Sequence, residues 1–271
     1  MLFICETLFK YGEAESMVTK TKSTVPNLQR GMAVLEYLAA GARSATSSEF
    51  TERLGYPSAS VFRITQELTE LGYLTRDPVS KRFSLTNKLL LLGQPQGQQR
   101  GLVEAALPAM RGLRKQTGET TQLCCLVETE NVVLEQLVST HPFKYSAELG
   151  ARCPAYSCAP GKAMIAGLPE DEREELTERI TFKCFTPTTI TGRRAFLKEL
   201  QQIVDVGYAI DCAEGMEGVH CVAAAVCDRN GIPVGAITVT APSTRLPESA
   251  FSTTGEMVIE AARNAELSYC E

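Results

Sequence analysis

The sequence has no tryptophan, only two histidines (His141 and His220), and no C-x-x-C pair among its ten cysteines. Structural zinc sites draw four ligands from clustered Cys and His, so that class is excluded. The cysteines are scattered, and Cys124, Cys125, Cys221 and Cys227 sit inside apolar runs, as buried reduced thiols of a cytoplasmic protein do. Hydrophobic and charged contents of 44% and 22% indicate neither a disordered chain nor a membrane protein. The first sixteen residues lack the basic region, long apolar core and small-residue cleavage site of an export signal. Met17 opens a polar run, which predicts a start there and makes residues 1–24 a disordered or upstream extension. Positive charge is also short: the net charge of -5 by itself argues against a nucleic-acid partner.

The distribution of charge reverses that argument. Residues 17–85 hold nine basic and six acidic side chains, whereas residues 86–271 hold 17 and 23. A basic head on an acidic body suits a protein that meets phosphates at one end. A length of 271 residues accommodates two domains, each with its own core.

Along the chain, Leu28, Met32, Leu35 and Ala39 recur at helical spacing, and Gly41 follows as a stop. Thr46 and Glu49 have the capping-box spacing of a short second helix, which Gly55 ends. Pro57 then opens a third helix with Val61, Ile64, Leu68 and Leu71 on one face and Gly72 beyond it. Residues 73–76 and 82–85 alternate like strands around the turn-forming segment 77–81. Three short helices closed by a hairpin make a winged helix-turn-helix over residues 25–86, with the segment 57–64 beginning its recognition helix.

Residues 94–101 are polar and rich in breakers, marking a boundary, and residues 87–118 read as linker helices. From residue 119 onward, strand-like runs at 122–127, 132–138, 219–227 and 233–240 mix with helical stretches at 161–167, 194–206 and 249–269, which predicts an α+β sensor-like domain.

Several strings in this order resemble the IclR family of bacterial transcriptional regulators. They are Leu28-Gln29-Arg30-Gly31, residues 57–64, Leu71-Gly72-Tyr73-Leu74-Thr75-Arg76-Asp77, Gly161-Lys162-Ala163, Gly207-Tyr208-Ala209-Ile210-Asp211, and residues 218–224. The likeness covers nearly everything after Val25. It implies an α+β chain in which a winged helix-turn-helix is joined by a linker helix to a GAF-like α/β effector-binding domain. It further implies a regulator without cofactor, a homodimer or a dimer of such dimers. Its partners are a double-stranded operator and a small organic acid, with no membrane.

On the third helix the buried stripe leaves Ala59, Phe62, Arg63 and Gln66 outward. Phe62 suits a thymine methyl, and Arg63 suits either guanine or a phosphate. Ser58 and Ser60 lie in the first turn, where hydroxyls and free N–H groups meet a phosphate, although Ser58 also suits a helix cap. Against the family pattern, Ser58 stands for a commonly basic residue and Lys81 for a usual glycine. Lys81, Arg82 and Arg76 of the wing and Arg30 of the first helix are the expected backbone contacts.

The resemblance places the effector between the loop 153–160 and the later strands, carrying over Cys153, Ala159, Pro160, Asp211, Cys221, Thr238 and Thr240. Thr238 and Thr240 are two apart on one strand and face the same side. The helix entrance at Gly161 favours an anion, while Pro160 removes one N–H donor. Tyr145 and Cys153 add an aromatic or apolar wall. A cysteine enzyme built on Cys158, or on Cys221 with His220, is disfavoured because strand neighbours point to opposite faces. A redox- or metal-responsive regulator using cysteines of the C-terminal domain is the alternative reading.

Overall fold

The computed structural model describes residues 25–42, 44–92 and 100–271. The expected extension 1–24, with its start at Met17, lies outside them, as does most of the boundary run 94–101. The chain divides into two units, Met1–Gly93 and Gln94–Glu271.

In the first unit, α1 (Pro26–Tyr37) starts with proline in its first turn, where the missing N–H has no intrahelical partner to lose. It continues as a wide π-type turn over Leu38–Ala42, so Gly41 is not the sharp stop its sequence suggests. Helix α2 (Ser47–Leu54) opens with a complete capping box: the Thr46 N–H donates to Glu49 Oε2 at 2.6 Å, and the Glu49 N–H donates to Thr46 Oγ1 at 3.3 Å. The Thr46 N–H, with the Thr46 hydroxyl and Arg82 beside it, holds the Glu49 carboxyl below its ordinary range. Gly55, at φ +66°, ends the helix in the left-handed region. Helix α3 (Ser58–Glu70) follows, then strands β1 (Leu74–Arg76) and β2 (Phe83–Leu85), paired antiparallel, and the short α4 (Lys88–Leu92). Val34, Phe50, Val61, Leu74 and Phe83 form the core, at about 1.5–3 kcal/mol for each large side chain fully buried. The predicted winged helix-turn-helix is this arrangement.

The second unit is a six-stranded antiparallel sheet in the order β5-β4-β3-β8-β7-β6. Its strands are β3 (Thr120–Val127), β4 (Glu130–Leu137), β5 (Arg152–Pro154), β6 (Ala209–Cys212), β7 (Val219–Cys227) and β8 (Pro233–Pro242). Helices α5 (Leu102–Thr117) and α9 (Phe251–Cys270) cover one face, while α6 (Ala159–Gly167) and α8 (Arg193–Val206) cover the other. The period of two along the strands explains the two layers. Val222, Ala224 and Val226, with Ile237 and Val239, pack toward α5 and α9; Cys221 and Ala223 pack toward α6 and α8.

Helix α5, read from sequence as a linker, is instead integral to this unit. Ala106, Met110 and Leu113 are sealed in the core it shares with α9 and the sheet. Three elements carried no sequence signal strong enough to anticipate. Strand β5 is three residues ending in proline, β6 is four residues, and α7 (Glu170–Arg179) buries only Leu176 and Thr177, leaving no apolar period to read. Glu170, Asp171 and Glu172 in its first turn favour the helix through its dipole instead.

Candidate functional site

On the first unit, α3 presents Ser58, Ala59, Phe62, Arg63 and Gln66 to solvent, and Phe62 is 56% exposed. Arg63 makes no ion pair or hydrogen bond among the described residues, so its five donors face outward unspent. In the wing, Asp77 Oδ1 accepts from the Val79 and Ser80 N–H groups at 3.0 and 2.6 Å, fixing the turn. Lys81 closes it at φ +60°, a conformation suited to glycine, with its Nζ donating to the Pro78 carbonyl at 2.6 Å. Arg76 is exposed and lies over the Phe83 ring at 5.3 Å.

Three expected phosphate contacts have other occupations. Ser60 is only 5% exposed, because it stands four residues before Ile64 on the buried row of α3. Its hydroxyl accepts from Arg30 Nη1 at 3.0 Å, and the Arg30 guanidinium lies over the Tyr56 ring at 5.6 Å. Arg30 and Ser60 therefore fasten α1 to α3. Arg82 donates through Nε and Nη2 to the Ser44 hydroxyl and carbonyl at 2.9 and 2.8 Å and pairs with Glu49 at 3.0 Å, binding the wing to the start of α2. Lys88, which the sequence did not single out, caps α3 by donating to the Leu71 carbonyl at 2.6 Å.

In the second unit, the chain leaves β5, makes a 3-10 turn at Ala155–Ser157 and enters α6 at Cys158. This path is held by close packing. A Cβ at Gly161 would meet the Ala155 carbonyl oxygen at 2.3 Å, and one at Gly215 would meet the Ser157 oxygen at 2.9 Å. The Tyr156 hydroxyl donates to the Lys183 carbonyl at 2.8 Å and accepts from its N–H at 2.6 Å.

Around the α6 N-terminus the structure gathers Tyr145, Cys153, Cys158, Asp211, Cys221 and Thr240. Asp211 and Cys221 are cross-strand partners, and the Thr240 hydroxyl reaches Cys221 Sγ at 3.4 Å. Burial holds the Tyr145 hydroxyl above the phenol range and the Cys221 thiol well above the thiol range. Ala159 and Pro160 are buried in the first turn of α6, so they present packing surface and, for Ala159, a backbone N–H. Two expected ligand groups already carry hydrogen bonds to the backbone. The Thr238 hydroxyl donates to the Val222 carbonyl at 3.1 Å within the central strands, leaving Thr240 as the hydroxyl in the cluster. Asp211 Oδ1 accepts the Glu214 N–H at 2.6 Å, and burial raises its carboxyl to about 6.

Sequence reasoning missed two neighbours of this cluster. Asn131 is 3% exposed; its Nδ2 donates to Cys153 Sγ at 3.7 Å, and its Oδ1 has no partner among the described residues. Lys162, matched only as part of a string, is completely buried, pairing with Glu214 at 2.5 Å and Glu199 at 3.0 Å. Two carboxylates share one lysine, with Asp211 close by. Desolvation, against the pull of Lys162, accordingly leaves Glu214 raised to about 7. Among the described residues no group of three or more His, Cys, Asp or Glu is arranged to hold a metal ion, and no helix is long and apolar enough to cross a membrane. His220 pairs across strands with Cys212, Nε2 to Sγ at 3.6 Å, and not with its neighbour Cys221.

The family description "IclR helix-turn-helix domain" matches residues 27–78, and "Bacterial transcriptional regulator IclR C-terminal" matches residues 97–267. This chain belongs to the IclR family. Its relatives are transcriptional regulators, not enzymes. The HTH-type transcriptional repressor AllR of Escherichia coli K12 is 30% identical over 93% of this chain and 92% of its own length. The HTH-type transcriptional regulator KdgR of the same strain is 30% identical over 94% and 98%. Among solved structures, an IclR homolog from Microbacterium hydrocarbonoxydans complexed with 4-hydroxybenzoate superposes with a TM-score of 0.74 at 24% identity, covering 90% of this chain and 98% of that one. IclR membership makes this chain a DNA-binding transcriptional regulator.

Proposed function

We propose that the chain is a cytoplasmic, homodimeric repressor whose second unit binds a small organic acid at the N-terminus of α6, thereby changing its affinity for an operator. The carrying observation is the polar cluster buried there, and beside it the Asn131 Oδ1, which has no hydrogen-bond partner among the described residues. Buried polar atoms are nearly always paired, and a few convergent polar groups in an apolar wall are what a ligand site needs. The Thr240 and Tyr145 hydroxyls supply donors, the first turn of α6 supplies N–H groups and a positive dipole end, and Asn131 supplies an acceptor for a ligand hydroxyl or acid proton. A relative's structure holds a hydroxylated aromatic acid, and the AllR relative is a repressor, which supports both parts of the reading.

On the DNA side, Phe62 and Arg63 with Ser58 read or approach the major groove, while Lys81 and Arg76 contact backbone from the wing. A thermal-shift screen of aliphatic and aromatic hydroxy and oxo acids tests the pocket, since a ligand that binds the folded state raises its melting temperature. Thr240→Val is expected to weaken the hit by about tenfold, equivalent to about 1.4 kcal/mol. No hit among carboxylates, or a hit indifferent to Thr240→Val and Tyr145→Phe, overturns it.

A further inference from the structure

His220 and Cys221 are strand neighbours that point apart, but the register of β6 on β7 brings another thiol to the imidazole. Cys212 and His220 are cross-strand partners, with Sγ 3.6 Å from Nε2. Glu248 Oε1, in the 3-10 turn Glu248–Ala250, lies 3.8 Å from the same sulfur. The other ring nitrogen, Nδ1, is 2.8 Å from the Leu246 carbonyl oxygen, which can only accept. Nδ1 therefore carries the hydrogen, and in the neutral ring Nε2 turns its lone pair toward the thiol. His220 is buried and the Phe251 ring packs edge-on against it at 5.3 Å, so the imidazole is held in this orientation. Beyond the sulfur, the Thr188 hydroxyl donates to the Cys212 carbonyl at 2.9 Å, and Ala213 follows in the left-handed region at φ +59°. Cys212 is half-buried and Glu248 exposed, so the pair meets solvent on that side. Strand neighbours face opposite ways: Cys212 packs toward the layer of α5 and α9, while Asp211 turns to the cluster at α6.

We propose that Cys212 is a site of covalent modification by small, uncharged α,β-unsaturated carbonyl compounds, with His220 Nε2 as the base that takes the thiol proton. A nucleophile, its base and a group that orients the base stand here in the order such an addition needs. Burial and the Glu248 carboxylate hold the thiol above its ordinary value, so at rest the sulfur keeps its proton and its reactivity comes from the base beside it. In the addition that proton moves to Nε2 as the sulfur bonds to the β-carbon, the C=C electron pair shifts toward the carbonyl, and Nε2 returns the proton to the α-carbon. One C–S and one C–H bond form, the S–H bond and the C=C π bond break, and nothing is oxidised. A hydroperoxide would instead leave a sulfenic acid, and among the described residues no second thiol is hydrogen-bonded to Cys212 to resolve it.

The Glu248 carboxylate at 3.8 Å, with Asp211 and Glu214 acting from farther off, disfavours an anionic reagent. Among the described cysteines Cys212 alone has an imidazole within hydrogen-bonding reach; the exposed Cys184 gives its hydrogen to the Thr186 carbonyl at 3.2 Å. The proposal does not depend on the effector reading, because the pair lies on the other face of the sheet.

The test is brief alkylation of the full chain with limiting N-ethylmaleimide, an uncharged α,β-unsaturated carbonyl compound, followed by peptide mapping. Cys212 is expected to be labelled at least about tenfold faster than Cys184, and His220→Gln to slow Cys212 by about tenfold or more while leaving Cys184 unchanged. Because His220 is buried, the parent chain carries an independent readout. With its base held in the protein, Cys212 should react at a nearly level rate between about pH 7 and 8.5, where the rate of an ordinary thiol climbs about tenfold per unit with its thiolate fraction. A maleimide bearing a carboxylate should react about threefold more slowly at Cys212, relative to Cys184, and Glu248→Gln should abolish that difference. Labelling of Cys184 ahead of Cys212, a Cys212 rate that climbs with pH like an ordinary thiol's, or a His220→Gln chain that keeps both its melting transition and the parent rate overturns the proposal. Equal preference for the two maleimides overturns the selection for uncharged reagents.

Discussion

Replacing Lys81 by glycine should move stability and DNA affinity in opposite directions. Lys81 sits at φ +60°, where a residue with a Cβ costs about 1–2 kcal/mol more than glycine. Glycine enlarges the unfolded ensemble, returning about 0.5–1 kcal/mol of that difference. The exposed Nζ bond to the Pro78 carbonyl counts for little in water, so the wing gains about 0.5–1 kcal/mol. The same change deletes a cation from the proposed backbone contact. Each lost phosphate contact lowers the slope of log affinity against log salt by about 0.9. Since the chain has no tryptophan, urea unfolding is best followed by hydrogen exchange of peptides spanning β1 and β2. Fluorescence anisotropy on a mixed-sequence duplex between about 50 and 200 mM salt reads the second effect. Lys81→Asn, which tolerates the left-handed conformation, should reproduce the affinity loss. A destabilised wing refutes the strain argument, and an unchanged salt slope, or a loss confined to one sequence, refutes the backbone role.

Three further expectations concern the second unit. Gly161→Ala forces a methyl to within 2.3 Å of the Ala155 carbonyl, so the buried turn must shift, at a cost of about 1–3 kcal/mol or more in chemical denaturation; a neutral change would mean the turn is soft. Lys162→Met strands the carboxyls it neutralises and should cost about 3–5 kcal/mol, with partial recovery on adding Glu214→Gln; a loss below about 1 kcal/mol would show the network to be replaceable. The third concerns pH. Glu214 and Asp211 are raised to about 7 and about 6, so the folded state holds more protons than the unfolded one. Their contribution is fully present below the ordinary carboxyl values of 4.5 and 3.8 and is lost as pH rises through about 6 and about 7. Unfolding free energy should therefore fall across that window in the parent chain and flatten in an Asp211→Asn, Glu214→Gln double variant; a parallel slope in both contradicts the assignment.

The winged helix-turn-helix was legible because its signals are local. Thr46 and Glu49 cap one helix, Gly55 and Gly72 end two, and a three-residue spacing places Phe62 and Arg63 outward. What was not legible depends on partners distant in sequence. Arg30 and Ser60 look equally like phosphate ligands until α1 and α3 bring them to 3.0 Å, and Arg82 finds Ser44 and Glu49 only when the wing folds back. In the second unit the family resemblance named the cluster, but Asn131 and Lys162 carried no pattern of their own. Their importance arises from burial, which a single sequence reports weakly for polar residues. Strand periodicity separated His220 from Cys221 correctly, yet could not show that β6 would bring Cys212 to His220.

Helix α6 is enclosed on every side from Ala159 to Ala166, its one charge neutralised internally. A helix without a wet face has nowhere to bend, and its amides should be among the slowest in the chain to exchange with solvent. Nine residues make a rigid strut of about 13 Å. At its far end Gly167 presses so close to Pro233, at the start of β8, that a Cβ would meet the ring at 2.7 Å. The buried cluster at Cys158 and the turn between β7 and β8 are thus joined by one helix packed along its whole length, with no solvent-filled gap between them.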